Sequence, residues 1–364
     1  MKNLHPTSGP DAAFGRVHSG VRVATPLPSV PVTPRVSILL PARDAESTLP
    51  ACLASIRRQT EPSWECIVVD DGSTDGTGEI SCRAAAADAR FQVVALTHVG
   101  LVAALNEGLR HCRADLVARM DADDLMHRER LAVQAAHLDG NLDLDAAGCH
   151  VRLFPRDGLS PRIREYEAWL NGLRDADEVT RDAFVECPIA HPSLMMRRSM
   201  AALGYDDRGW PEDYDLVLRA LAHGIRIGVV PRRLLSWRRH PGNFSRQDPR
   251  YAREQFFRCK AQYLATGHLA ASPEYVLWGF GETGKALRRA LAAHGKRASH
   301  IIEVHPRRLG RRIHGAPVVP PARMADLRGR PAVVSVAREG PRNDARVLLS
   351  GMGFVEGRDY VCAA

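Results

Sequence analysis

Three carboxylates crowd into one stretch, Arg119-Met120-Asp121-Ala122-Asp123-Asp124, which follows a short apolar-rich run at 114–118. Like charges this close repel unless something positive neutralises them, and a divalent cation with oxygen ligands does so. The plainer reading is an acidic loop that also caps the next helix. A second acidic pair, Glu212-Asp213, opens the segment 212–219. Asp213 falls in the first turn of the expected helix, where the dipole favours an ionised carboxylate. It is either an ordinary helix start or a proton acceptor. Two further loops carry polar chemistry: Pro41-Ala42-Arg43, and Asp70-Asp71-Gly72-Ser73. A carboxylate there can accept from a base N–H or a ribose hydroxyl, and Gly72 lets a backbone approach closely. Read alone, each is also a tight turn with Asp as cap and Gly as breaker. Two histidines stand out: His191 in a Cys187–Arg197 turn and strand, and His240 in the arginine-rich stretch 236–246.

The elements that must hold these groups alternate. A β-rich run covers Val36–Leu40 and stops at Pro41; helical spacing spans Glu46–Gln59; Trp64–Val69 reads as a buried strand. A helix is expected over Thr77–Ala87, a strand over Phe91–Leu96 and a helix over His98–Cys112. An amphipathic helix follows the triplet through Leu138, with Arg128 and Arg130 expected in solvent. Such alternation implies an α/β fold with a mostly parallel sheet, and ligands then sit at the carboxyl ends of its strands.

Totals narrow the classes. The 364 residues suggest two domains, and 45% hydrophobic residues suffice for ample core. A net charge of +8 points to an anionic partner, but no basic run is interleaved with aromatics, so nucleic acid is not expected. A phosphorylated ligand or an acidic lipid surface fits, and peripheral membrane contact is compatible with it. Eight dispersed cysteines include no Cys-x-x-Cys, which argues against a zinc cluster or disulfide framework and suits a cytoplasmic location. No window reaches the roughly 18 apolar residues of a membrane span. Residues 1–34 read as a flexible tail and not as a signal peptide.

Taken together, four stretches resemble the family 2 inverting glycosyltransferases of the GT-A fold: 36–43, 67–77, 100–109 and 118–124, with the likeness continuing to about Arg246. The resemblance implies a nucleotide-sugar-binding domain over 35–246. Pro41, Ala42, Arg43, Asp71, Gly72, Asp121, His191 and Glu212 would bind the nucleotide sugar. Asp123, and His240 with it, would hold Mn²⁺ or Mg²⁺, and Asp213 would be the general base. Arg238 or Arg239 would neutralise phosphate. The Gln-x-x-Arg-Trp signature of processive members is missing, which favours one sugar per event. The implied donor is a UDP-sugar, and the implied acceptor a glycan, a lipid-linked saccharide or a small glycoside.

A helical linker is expected over 247–272, then a smaller Rossmann-like unit over 273–364. There, Gly279-Phe280-Gly281-Glu282-Thr283-Gly284 lies between a strand and a helix, and Glu303 ends the next strand. This spacing matches a dinucleotide fingerprint, so Gly279, Gly281, Gly284 and Glu303 form a candidate second nucleotide site. Substitution at Gly281 is expected to disturb the unit. The competing readings are an NAD(P)-dependent oxidoreductase and a nucleotide-sugar-binding protein without activity.

Overall fold

The computed structural model describes residues 33–240 and 242–364, so the segment expected to be a tail lies almost wholly outside the described residues. In chain order the first eight strands are β1 (Val36–Ala42), β2 (Trp64–Asp71), β3 (Phe91–Leu96), β4 (Leu116–Arg119), β5 (Leu125–Met126), β6 (Ala146–Phe154), β7 (Met195–Arg197) and β8 (Ile227–Arg238). They form one sheet in the order β3-β2-β1-β4-β7-β6-β8-β5. The first four run parallel, and β7 pairs antiparallel with both β4 and β6. Helices Leu49–Arg57, Thr77–Ala87 and Leu101–His111 make the crossovers. The strands are buried along both faces: Ile38, Leu40, Cys66 and Val68 pack in one layer, Leu39, Ile67 and Val69 in the other. Near-continuous apolar strands are what a sheet covered on both faces requires.

Register fixes the site. Ala42 pairs with Asp70 and Leu39 with Arg119, so the loops after β1, β2 and β4 leave the sheet at one edge. β1 runs on through Pro41, where the sequence suggested a stop. The β1–β4 ladder ends at Leu39–Arg119, where the Met120 amide donates to the Leu39 carbonyl. Pro41 sits two residues further along on the same side, where no acceptor awaits the N–H it lacks.

The helix Arg130–Gly140 forms where expected, but only Arg128 is exposed. Arg130 is fully buried beneath the acidic loop, its guanidinium donating to Gln134 Oε1 at 2.8 Å and to the Arg119 carbonyl at 3.0 Å. Carbonyls freed where β4 ends need a donor. A buried arginine supplies several at once.

A second sheet follows the helix Arg253–Thr266. Its strands are β9 (Glu274–Trp278), β10 (Arg297–Ile302), β11 (Arg312–Ile313), β12 (Ala316–Val319), β13 (Ala332–Val334) and β14 (Tyr360–Cys362), in the order β11-β12-β10-β9-β13-β14. All pairs are parallel except β11 with β12. The sequence reading lacked β12, a short strand that contains Pro317 and stops before Pro320. The two sheets belong to one compact unit over Pro34–Ala364. Buried Lys260 donates to the carbonyls of Val185 and Ala363, and Arg346 bridges Asp182 and Glu356.

Candidate active site

Two loops at the carboxyl ends of β1 and β2 are laced together. The Asp44 amide donates to Ser73 Oγ, the Thr74 amide to Asp44 Oδ1 at 2.8 Å, and the Gly76 amide to Glu46 Oε2 at 2.8 Å. Asp71 is buried, and its two oxygens accept from the amides of Val99 and Gly100 at 2.6 and 3.0 Å. Its carboxylate therefore anchors the 98–100 turn, which presents His98 to Arg43: Nη1 lies 2.8 and 2.6 Å from the two ring nitrogens. Gly72 has φ +68°, and an added Cβ would lie 2.5 Å from the His98 amide nitrogen. Only glycine fits between the two loops. Pro41 and Ala42 are buried in β1 and contribute backbone to this edge.

The acidic loop lies beside it. Oxygens of Asp121, Asp123 and Asp124 all fall within 4.8 Å of one another. Asp124 is fully buried; Oδ1 accepts from the Arg238 amide at 2.6 Å, and Oδ2 has no partner among the described residues. Burial, then the charge of Asp121, pushes the Asp123 carboxyl above its ordinary pKa, and Asp124 is pushed well above for the same reasons. The segment after β8 clasps this loop. Arg238 Nε donates to the Asp123 carbonyl, and His240 Nε2 and Asn243 Nδ2 approach Asp123 Oδ2 at 3.1 and 3.2 Å. Arg238 is thus spent on the acidic loop. Arg239 has a buried Nε without a partner among the described residues, and burial lowers its pKa.

The third group opens the helix Glu212–Ala222. Glu212 is buried; Tyr251 donates its hydroxyl to Oε1 at 2.7 Å, and Oε2 has no hydrogen-bond partner among the described residues. Asp213 is partly exposed, and Oδ1 accepts from the Tyr214 amide at 2.7 Å. Burial and then the neighbouring Glu212 raise its pKa to about 7.

Arg119, the last residue of β4, connects these places. It is 3% exposed and ion-paired with Asp121. Burial works against its charge, but Asp121, Tyr205 and Glu212 more than offset that and hold its pKa above the ordinary value. The same guanidinium lowers the pKa values of Glu212, Asp213 and Asp124 against the upward push of burial. His191 is buried beside it, Nε2 lying 2.9 Å from the Tyr205 hydroxyl, and burial and Arg119 together keep the imidazole neutral. Sequence reasoning singled out neither Arg119, Tyr251 nor Asn243. Tyr251 and Asn243 meet Glu212 and Asp123 far along the chain, and Arg119, beside its near neighbour Asp121, acts on the equally distant Glu212, so no local signal marks them.

The glycine turn of the second sheet is built differently. Gly284 packs on the turn itself, its added Cβ falling 2.2 Å from the Gly279 carbonyl oxygen and 2.7 Å from Ser335 Oγ. Gly281 meets nothing within 4 Å and has a negative φ, so the disturbance expected there belongs to Gly284 instead. Glu303 is engaged: Arg308 donates to Oε2 at 2.7 Å and the Val304 amide to Oε1 at 2.9 Å. Gly284→Ala is expected to destabilise the protein by about 1–3 kcal/mol through overpacking, while Gly281→Ala stays near wild type. Thermal unfolding of both variants checks the pair.

The family described as glycosyl transferase family 2 matches residues 37–204. EpsE of Bacillus subtilis (strain 168), provisionally named a glycosyltransferase, is 30% identical over 228 residues, which cover 60% of this chain and 78% of EpsE. The amylovoran biosynthesis glycosyltransferase AmsE of Erwinia amylovora is 27% identical over 199 residues, 54% of this chain and 72% of AmsE. Among solved structures, S. aureus TarS 1–349 in complex with UDP-GlcNAc shares the fold at a TM-score of 0.51 and 18% identity, covering 71% of this chain and 72% of that one. No helix among the described residues is long and apolar enough to cross a membrane. The matched residues take in nearly all of β1, both laced loops and the acidic loop after β4, and with EpsE 30% identical across 78% of its length the chain belongs to glycosyltransferase family 2.

Proposed function

We propose that this enzyme moves one sugar, with inversion, from a nucleotide-sugar donor to a hydroxyl of a glycan, a lipid-linked saccharide or a small glycoside. The observation that carries the reading is the position of Arg119, paired with Asp121 on the acidic loop and within electrostatic reach of Glu212 and Asp213. This supports a reading in which the acidic loop serves the nucleotide diphosphate and Asp213, near it, serves proton removal. UDP is chosen as the nucleotide after the UDP-GlcNAc complex of TarS, and a glycan acceptor suits the stated role of AmsE.

The acidic loop fits a hard divalent cation. Its donors are clustered carboxylate oxygens, one buried and without a partner, and an imidazole already touches Asp123. Asp123 and His240, beside Asp121, would hold Mn²⁺ or Mg²⁺. Such an ion, when bound, offsets the charge of the diphosphate. On the first edge, Arg43, Asp71 and the backbone at 41–42 and 72 orient the base and ribose. Asp213 takes the proton of the acceptor hydroxyl as its oxygen forms a bond to the anomeric carbon. The bond from that carbon to the diphosphate oxygen breaks on the opposite face. A single displacement of this kind inverts the anomeric centre. Glu212, held by Tyr251, keeps the helix start in place, and His191 supports Tyr205 beside it.

Domain limits of 35–246 for the catalytic part, 247–272 for a linker and 273–364 for a Rossmann-like part belong to this reading. Parallel strands in the order β12-β10-β9-β13-β14 support the last of these. Because Glu303 is bound by Arg308, we give that part a structural role and not a redox one.

A thermal-shift screen tests the proposal. UDP-sugars with Mn²⁺ are expected to stabilise the protein, by about 2.7 kcal/mol at a hundredfold excess over Kd. A shift with NAD(H) or NADP(H) and none with any nucleotide sugar would overturn it.

A further inference from the structure

The positive charge of the protein is concentrated in one place. Residues 285–330 hold twelve Lys or Arg against two carboxylates, Glu303 and Asp326, a local net charge of +10 in a chain whose total is +8. Both acids are already engaged, Glu303 by Arg308 and Asp326 by Arg323, each at 2.7 Å. By contrast Arg288, Arg307, Arg311 and Arg312 have no carboxylate partner among the described residues.

The fold gathers these groups at one edge of the second sheet. β11, carrying Arg312, is the terminal strand, and the 303–311 segment leads into it with Arg307 and Arg311 exposed. Around the hairpin tip, Arg288, Lys296, Arg297 and His314 line a shallow concavity of about 280 Å³. The opposite edge is the one in contact with the catalytic part, through the helix before β14, where Arg346 pairs with Asp182. The basic edge is therefore left outward. On the segment that leads to it, Val304 is 71% exposed, three residues before Arg307.

We propose that this edge docks the enzyme on an anionic phospholipid surface. Arginines without carboxylate partners on an outward edge are drawn to the potential of acidic headgroups, and an exposed apolar residue three positions before Arg307 can enter the acyl boundary. Single-stranded nucleic acid, the other polyanion, wants aromatic platforms, and residues 285–330 contain no Phe, Tyr or Trp. The proposal stands apart from the donor chemistry, because its readout is partition and not turnover.

The test is co-sedimentation of the full chain with vesicles of phosphatidylcholine alone, or with roughly one third phosphatidylglycerol, at low salt. Binding is expected to the anionic vesicles only and to fade as salt is raised to about 0.5 M. Replacing Arg307, Arg311 and Arg312 by Ala together should weaken it about 100-fold, since each basic residue near such a surface contributes about fivefold. The matching triple Lys variant should keep binding, and unchanged thermal midpoints show that both variants are folded. Equal partition on neutral vesicles, no effect of the triple Ala change, or capture by single-stranded RNA with no vesicle binding would each overturn the proposal.

Discussion

Asp213→Asn is expected to lower kcat by about 100- to 10,000-fold, the range a positioned general base contributes. Donor affinity should stay within about twofold of wild type, because the exchange keeps the shape of the side chain and the oxygen that accepts from the Tyr214 amide. UDP release in a coupled assay reads the first quantity and calorimetry the second. The pH profile is the sharper signature. Burial and the adjacent Glu212 raise the Asp213 pKa to about 7, so the free enzyme carries its base half-ionised near neutrality. A base works only when deprotonated. The kcat/KM of the wild type should thus climb about tenfold per pH unit below that value and level off above it. In the Asn variant this limb should vanish. Stability moves the other way: a carboxyl whose folded pKa is raised contributes stability at low pH, and loses it as pH rises through the folded value. Asn cannot ionise, so the variant should gain on wild type in thermal midpoint above neutral pH. Equal turnover in both proteins would remove Asp213 from the chemistry. No turnover in either, with donor still bound, would point to a nucleotide-sugar binder.

Much of this site could be read from the chain because its chemistry is carried by short loops next to strong strands. Ile67–Val69 followed by Asp-Asp-Gly-Ser can hardly be anything but a buried strand entering a tight polar turn, and the structure places it so. Helix 77–87 was legible to the residue, whereas the helix expected from Glu46 starts only at Leu49. The residues just before the helix are diverted to the neighbouring loop: Asp44 holds the Thr74 amide and Glu46 the Gly76 amide. Local periodicity cannot report a partner thirty residues away. The same limit hid Arg130, whose place in an amphipathic pattern says solvent while the end of β4 calls for a donor in the core. It hid Arg119 too. An arginine two residues before Asp121 has many fates in sequence, and only the assembled sheet brings it near the helix that starts at Glu212. Glu303 shows the converse: its spacing from the glycine turn matches a ribose contact, yet Arg308 and the Val304 amide already donate to it.

Asp123→Ala should abolish the gain in UDP affinity that Mn²⁺ confers, a loss expected to exceed the 10- to 100-fold typical of disturbing a ligand's supporting shell. The loop gives the reason. Asp124 is held in the core with one oxygen on the Arg238 amide, and Asp121 is neutralised by Arg119, so the carboxylate with the most freedom to meet an ion is Asp123. Its contacts with His240 and Asn243 are to single neutral or titratable side chains, and its exposure is larger than that of Asp124. The same substitution should not weaken the fold without metal. Burial and Asp121 raise the Asp123 pKa, meaning its charge is an unfavourable one in the free protein, so removing it relieves repulsion and should leave the thermal midpoint level or higher. Titration of UDP with and without Mn²⁺ measures the first effect and thermal unfolding the second. A lost Mn²⁺ response together with a stable fold assigns the ion to this loop, whereas an affinity that still responds to Mn²⁺ takes Asp123 out of the metal site.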